Sequence, residues 1–151
     1  MTVGVHTLDH KRMDRLSRVD QAAQIDQDTA ILRGAGNPQP TLFRPPYGAY
    51  DQTTLDLLGE RNMTMVLWSV DSKDYERPGV DAIVDRVLSD ATPGAIVLLH
   101  DAGGDRSQTI EALPRIVLGL RQHHYRLVSV PQLLQDAPPP LTQPKLGVGA
   151  G

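Results

Sequence analysis

Short apolar runs alternate with amphipathic stretches along this chain. The apolar runs are rich in Val, Ile, Leu and Thr, and several are nearly continuous, as expected of strands covered on both faces. They predict five strands, at residues 2–5, 41–43, 64–70, 95–99 and 126–130. Apolar positions with helical spacing predict four helices between them, at residues 20–33, 52–61, 80–91 and 107–123. This alternation predicts an α/β fold with parallel strands and right-handed crossovers.

Two of the predicted helices carry local signals. In the third helix, Ile83, Val84, Val87 and Leu88 form one apolar stripe, which predicts a single buried face. Ser107 is the expected N-cap of the fourth helix, and we expect the helix to accept Pro114 only in or near its first turn.

Composition narrows the class of protein. The chain has 151 residues, 40% of them hydrophobic, which predicts one ordinary domain at residues 1–134 followed by a Pro/Gly-rich tail or linker at residues 135–151. A net charge of −3 argues against binding nucleic acid or an anionic membrane, which needs clustered Lys and Arg. No apolar run approaches the roughly 20 residues that span a bilayer. Residues 1–9 lack the pattern of a signal peptide.

The chemistry must rest on a restricted set of side chains. The chain contains no Cys, which excludes disulfides, thiolate metal sites and cysteine nucleophiles. Four of the five predicted strands end at polar residues, namely His6, Arg44, Asp71 and His100. The carboxyl ends of parallel strands carry the functional groups in this class of fold. These four positions are therefore the first candidates for a site.

Each strand end also has a plain structural interpretation. His6 and His10 lie four residues apart, so a helical turn would place both imidazoles on one metal ion, but they could equally be surface or capping residues. Pro45 and Pro46 stiffen the turn after Arg44, with or without a functional purpose.

The last two strand ends leave the same choice open. The segment from Asp71 to Tyr75 could be a capped loop, and His100 could be a buried structural histidine or a catalytic acid or base. His123 and His124 lie at a helix end among polar residues, where they complement the helix dipole.

Taken together, the four segments resemble the polysaccharide deacetylases with NodB homology, the family-4 carbohydrate esterases. His6-Thr7-x-x-His10 matches the family's H-[ST]-x-x-H motif, and residues 43–48 match F-R-P-P-Y-G. Residues 71–75 resemble D-x-x-D-W with Tyr75 in place of Trp, and residues 98–100 fit L-x-H. The resemblance covers roughly residues 1–134 and implies a distorted parallel (β/α) barrel.

The resemblance also implies a mechanism of amide hydrolysis on N-acetylated glycans. A divalent metal, with zinc as the first choice and Co²⁺ or Ni²⁺ as alternatives, would be held by His6 and His10. His100 would be the general acid, with Asp71 orienting it. Arg44 would orient the catalytic base, and the backbone N–H of Tyr47 would bind the oxyanion. The residues implied to contact substrate are Leu98, Tyr75 and Pro46.

The family's T-F-D-D motif, which supplies the base and a third metal ligand, has no counterpart in these 151 residues. We therefore expect an N-terminally incomplete barrel that either self-associates across the gap or is a proteolysed or mis-started fragment, and that in both cases is nearly inactive as a deacetylase. The resemblance implies an extracytoplasmic or cell-envelope location.

Three functions remain open on this basis. The first is a metal-dependent deacetylase acting on peptidoglycan, chitin-type oligomers or exopolysaccharide. The second is an inactive module that binds carbohydrate. The third is a relative that hydrolyses another non-peptide C–N bond.

Overall fold

A computed structural model describes residues 2–37 and 39–138. The chain divides into two compact units, Met1–Leu67 and Trp68–Gly151, and each has its own apolar cluster. Within the described residues, the helices are too short or too polar to cross a membrane.

The first unit is built on short parallel strands. Strand β1 (Leu42–Phe43) pairs with β2 (Thr64–Met65), with Leu42 opposite Thr64 and Phe43 opposite Met65. Val5 adds a parallel bridge to Phe43 on the other side of β1. The Val5 backbone N–H donates to the Leu42 carbonyl, and the Arg44 N–H donates to the Val5 carbonyl. Because these pairings end just before His6 and Arg44, they fix the start of both candidate segments.

Two helices cover this strand group. Helix α1 (Arg18–Gly34) begins at Ser17, whose side chain accepts the Asp20 N–H, and α2 (Gln52–Glu60) begins with a capping box between Asp51 and Thr54. They enclose a buried cluster of Val5, Met13, Ile25, Phe43, Leu57 and Leu58.

The second unit repeats the pattern. Strand β3 (Val70–Asp71) pairs in parallel with β4 (Val97–Leu98), with Asp71 opposite Leu98. Helices α3 (Val80–Asp90) and α4 (Ser107–Gln122) pack together, and α5 (Val130–Asp136) follows. The buried cluster consists of Val70, Ile83, Val84, Val87, Ala112, Ile116 and Leu120. The apolar stripe predicted on the third helix is thus confirmed as its core face.

The α/β class and the four predicted helices are confirmed, with helix ends displaced by at most two residues. The strands are shorter than predicted. The expected strand at 64–70 is two strands, β2 and β3, and the one expected at 126–130 is absent from the described structure. There Ser129 caps α5 by accepting the Gln132 N–H, so turn and capping chemistry overrides the β-propensity of Leu127 and Val128. Residues 139–151 of the predicted tail lie outside the described residues.

Two expectations for α4 are wrong. Arg106, not Ser107, is the N-cap residue, and the Ser107 N–H is bound by the Asp105 carboxylate instead. Pro114 lies in the interior of the helix. It lies on the exposed face, where water can satisfy the carbonyl left without an intrahelical donor.

Candidate functional site

His6 and His10 are brought together in the first unit, with ring centroids 5.0 Å apart in an edge-to-face arrangement. The connection between them is a loop and not the expected helical turn. Thr7 and His10 both adopt left-handed backbone conformations, at φ 69° and 60°. The buried Thr7 hydroxyl accepts the His10 N–H at 3.1 Å, which closes the loop. The two imidazoles therefore lie side by side as predicted, but a loop brings them together where a helical turn was expected.

The tautomer of His6 is fixed by the backbone. Its Nδ1 lies 2.7 Å from the carbonyl oxygen of Arg44, a pure acceptor, so Nδ1 carries the proton and Nε2 keeps its lone pair. Loss of surrounding water lowers the pKa of His6 below its ordinary value; the bond to Arg44 opposes this shift, and nearby His10 adds to it. A neutral imidazole with a bare Nε2 is the form that ligates a metal.

Helix α1 holds the loop that carries these histidines. The buried side-chain oxygen of Gln24 accepts the N–H groups of Leu8 and Asp9 at 3.1 and 3.2 Å. One helical turn later, Asp28 accepts the His6 N–H at 2.8 Å. Sequence reasoning missed both residues, because nothing local in the sequence marks a helical Gln or Asp as the partner of a distant loop.

The double-proline turn follows β1. Arg44 reaches the segment that follows β2, where its guanidinium donates to the carbonyls of Val66 at 3.2 Å and Leu67 at 3.4 Å. Burial lowers the pKa of Arg44 from its ordinary value. Tyr47 adopts a left-handed conformation at φ 59°, which aims its backbone differently from an ordinary helical turn. Pro46 is fully buried and supports this turn, which does not fit its expected contact with substrate.

In the second unit, His100 is paired with a buried carboxylate. Its Nδ1 lies 2.7 Å from Oδ1 of Asp74, and its backbone N–H donates to Oδ2 at 2.7 Å. The Thr109 hydroxyl donates to the same Oδ2 at 2.9 Å. The Asp74 side chain is 0% exposed, whereas that of His100 is 33% exposed. Burial by itself would raise the pKa of Asp74, but the bonds from His100 and Thr109 outweigh it and the pKa is lowered.

The carboxylate that orients His100 is therefore Asp74, and the assignment of that task to Asp71 is wrong. Asp71 accepts the Lys73 N–H at 3.0 Å and the Tyr75 hydroxyl at 3.1 Å. It shapes the loop, because these bonds span the left-handed turn at Lys73. The signal for Asp74 was present in the sequence as the second carboxylate of D-x-x-D, but the motif alone does not say which of the two faces the histidine.

The remaining predicted contacts lie beside this pair. The Tyr75 ring meets His100 edge-on with centroids 5.5 Å apart, and 40% of Tyr75 is exposed. Leu98 is 8% exposed at the end of β4. Their contact with substrate stays a prediction.

The two histidines of the first unit meet part of the requirement for a metal. A catalytic zinc usually takes three protein ligands and keeps one open position. His6 and His10 can supply two imidazole nitrogens. Across residues 2–37 and 39–138, no group of three His, Cys, Asp or Glu side chains is arranged to hold a metal.

Comparison with known proteins decides the family. The polysaccharide deacetylase family model matches residues 1–66. A family-4 carbohydrate esterase from Streptomyces lividans, solved with acetate, is 33% identical with a TM-score of 0.78, and the match covers 87% of this chain and 67% of that one. The chain belongs to the polysaccharide deacetylase family. The motifs that carry the resemblance and the α/β fold are thus those of a family-4 carbohydrate esterase.

Other members of this polysaccharide deacetylase family differ in what they do. A peptidoglycan-N-acetylglucosamine deacetylase from Bacillus cereus is 44% identical over 140 residues, which is 88% of this chain and 63% of that protein. A family-4 pseudoenzyme from Bacillus anthracis is 30% identical with a TM-score of 0.82, over 87% of this chain and 46% of that one. This chain therefore spans less than two thirds of the length of the Bacillus cereus relative.

Gln24 offers a direct test of how the histidine loop is held. Replacing Gln24 with Leu removes the acceptor for two N–H groups and should cost about 1–3 kcal/mol of unfolding free energy. We expect the Leu8 and Asp9 amide protons to exchange with solvent faster in Gln24→Leu, as measured by hydrogen exchange followed by NMR.

Two variants control this experiment. Gln24→Glu keeps a side-chain acceptor and should retain protection, and Gln27→Leu makes the same change at an exposed position of α1. Wild-type exchange of both amides in Gln24→Leu would contradict the assignment.

Proposed function

We propose that this chain takes part in hydrolytic removal of acetyl groups from an N-acetylated glycan. The pair formed by Asp74 and His100 is the observation that carries the proposal. A partly exposed imidazole whose Nδ1 is bound to a buried carboxylate is the arrangement of a general acid or base, because Nε2 alone is left to exchange protons with substrate.

The reaction assigns a definite task to His100. A water oxygen bonds to the acetyl carbon as the water gives a proton to the base that Arg44 would orient, the bond from that carbon to the sugar nitrogen breaks, and acetate and a free amine result. Protonated at Nε2, His100 donates that proton to the departing nitrogen. Asp74 keeps the ring oriented and stabilises the imidazolium, and Thr109 holds Asp74.

His6 and His10 are proposed as two ligands of a divalent metal, with zinc as the first choice. When bound, such an ion lowers the pKa of water and polarises the acetyl carbonyl. The hydrogen bond from His6 Nδ1 to Arg44 orients its Nε2 for this purpose. By family resemblance, the Tyr47 N–H binds the oxyanion and Arg44 orients the base.

A second candidate function is glycan binding without turnover. It is favoured by the resemblance to the Bacillus anthracis pseudoenzyme, which has a TM-score of 0.82. In that case the exposed residues around His10 in the first unit would hold a glycan, and no acetate would be released.

Several finer expectations stay predictions beside this proposal. They are the closure of the strands into a barrel, the choice among peptidoglycan, chitin-type and exopolysaccharide substrates, Co²⁺ or Ni²⁺ as the metal, an extracytoplasmic location and self-association. Hydrolysis of another C–N bond is the remaining alternative.

Acetate release tests the role of the Asp74 and His100 pair. In the zinc-loaded full-length protein acting on chitotetraose or glycan strands of peptidoglycan, His100→Ala should lower turnover on the order of 10²–10⁴-fold. Asp74→Asn should also lower turnover severely because it removes the acceptor for Nδ1–H. Asp71→Asn makes the same change at the other carboxylate of this loop, and it should lower turnover less than Asp74→Asn does.

The outcomes separate the candidates. Turnover retained in His100→Ala with a lowered melting temperature would mean a structural histidine. Wild-type protein that binds these glycans but releases no acetate supports the second candidate. A larger loss in Asp71→Asn than in Asp74→Asn would contradict the assignment of the orienting carboxylate.

Metal affinity tests the two histidines without any turnover. Competition with a chromophoric chelator measures zinc binding directly. His6→Ala should weaken zinc by more than the roughly 10–100-fold that changes around ligands cost. His123→Ala, at the exposed end of α4, is the control and should leave affinity unchanged. Equal affinity in His6→Ala and wild type would remove His6 from the metal site.

A further inference from the structure

An open cleft of about 350 Å³ lies beside His10 in the first unit. It is lined by His10, Lys11, Arg12, Arg15, Leu16 and Tyr47. Its volume is within the range of roughly 300–1,000 Å³ that small-molecule sites occupy. None of the contacts derived above for the metal loop or for His100 uses the residues from Lys11 to Leu16.

The cleft concentrates positive charge in a chain whose net charge is −3. Two of its three cations are paired, Lys11 with Asp9 at 2.7 Å and Arg12 with both carboxylate oxygens of Asp14 at 3.1 and 2.8 Å. Arg15 is exposed and forms no ion pair within the part of the chain that the structure describes. Asp14 interacts with Arg15 through its charge alone, so the guanidinium can donate to an incoming anion without first breaking an ion pair with a described residue.

Tyr47 supplies a fixed aromatic wall. Its side chain is 66% exposed, although the turn that carries it is set by two buried prolines. The ring meets His10 edge-on with centroids 4.9 Å apart, so one neighbour limits its movement while its surface stays open. A large amphipathic ring held in place at the surface is typical of binding sites, because it presents contact area at little entropic cost.

We propose that this cleft binds a sugar unit that carries a carboxylate, and that it makes the chain select acidic over neutral N-acetylated glycans. Arg15 binds the carboxylate with the paired N–H groups of its guanidinium, and Tyr47 packs against the sugar ring. The inference rests on the proposed function, since His10 links the cleft to the proposed metal ligands. It goes further because it names the charge of the glycan and the residue that recognises that charge.

Binding of two tetrasaccharides of equal length tests the proposal. One is a peptidoglycan tetrasaccharide in which alternate N-acetylated sugars carry a lactyl carboxylate, and the other is neutral chitotetraose. Calorimetric titration is done with a chelator present, so that a carboxylate bound to metal at His6 and His10 is not counted. The acidic glycan should bind more tightly, on the order of tenfold, as expected for one charge-assisted pair.

The variants assign this preference to one side chain. Arg15→Gln should abolish the preference by weakening binding of the acidic glycan on the order of tenfold, toward the affinity for chitotetraose. Arg33→Gln makes the same change at an exposed position near the end of α1, outside the cleft, and should keep the preference. Equal affinities for the two glycans in wild type, failure to bind either, or a preference retained in Arg15→Gln would each overturn the proposal.

The test also separates this inference from the proposed function. Selective binding that depends on Arg15, with no acetate released by the full-length protein, would uphold the cleft and contradict deacetylation. Acetate release at equal rates from both glycans, unchanged in Arg15→Gln, would uphold deacetylation and contradict the cleft.

Discussion

A buried carboxylate organises the functional end of the second unit. Asp74 is shielded from water, and its charge is retained because the ring and backbone of His100 and the hydroxyl of Thr109 all bond to it. These partners lie on two segments, His100 on the loop after β4 and Thr109 on the helix α4. Satisfying one buried charge therefore fixes the loop, the helix and the imidazole together, since an unpaired carboxylate there would be costly.

In the first unit, a histidine is likewise held through Nδ1, but by a neutral carbonyl instead of a carboxylate. The Arg44 carbonyl takes the Nδ1 proton of His6, and the position of that carbonyl is set by pairing of Arg44 with Val5 on one side and the rigid prolines on the other. Gln24 and Asp28 hold the loop backbone from α1. In both units, an acceptor at Nδ1 leaves Nε2 as the nitrogen that meets solvent.

Local patterns in the sequence predicted the helices and the strand ends better than they predicted which residues bond to one another in the site. The helices follow from apolar spacing, and the strand ends pointed to His6, Arg44, Asp71 and His100, whose part in a functional site stays a prediction. The choice between Asp71 and Asp74 could not be made from spacing, because it depends on a left-handed residue, Lys73, that turns the loop. The loop from His6 to His10 was missed as a loop for the same reason, since Thr7 and His10 adopt left-handed conformations, which are uncommon for residues other than glycine.

The central claim is that the imidazoles of His6 and His100 keep the proton on Nδ1 and present a bare Nε2 when neutral. Nitrogen-15 NMR of histidine-labelled protein at a pH where the rings are neutral reads this directly. The account predicts protonated Nδ1 and unprotonated Nε2 for both His6 and His100, with the exposed His123 as an internal reference. A proton on Nε2 of either His6 or His100 would contradict it.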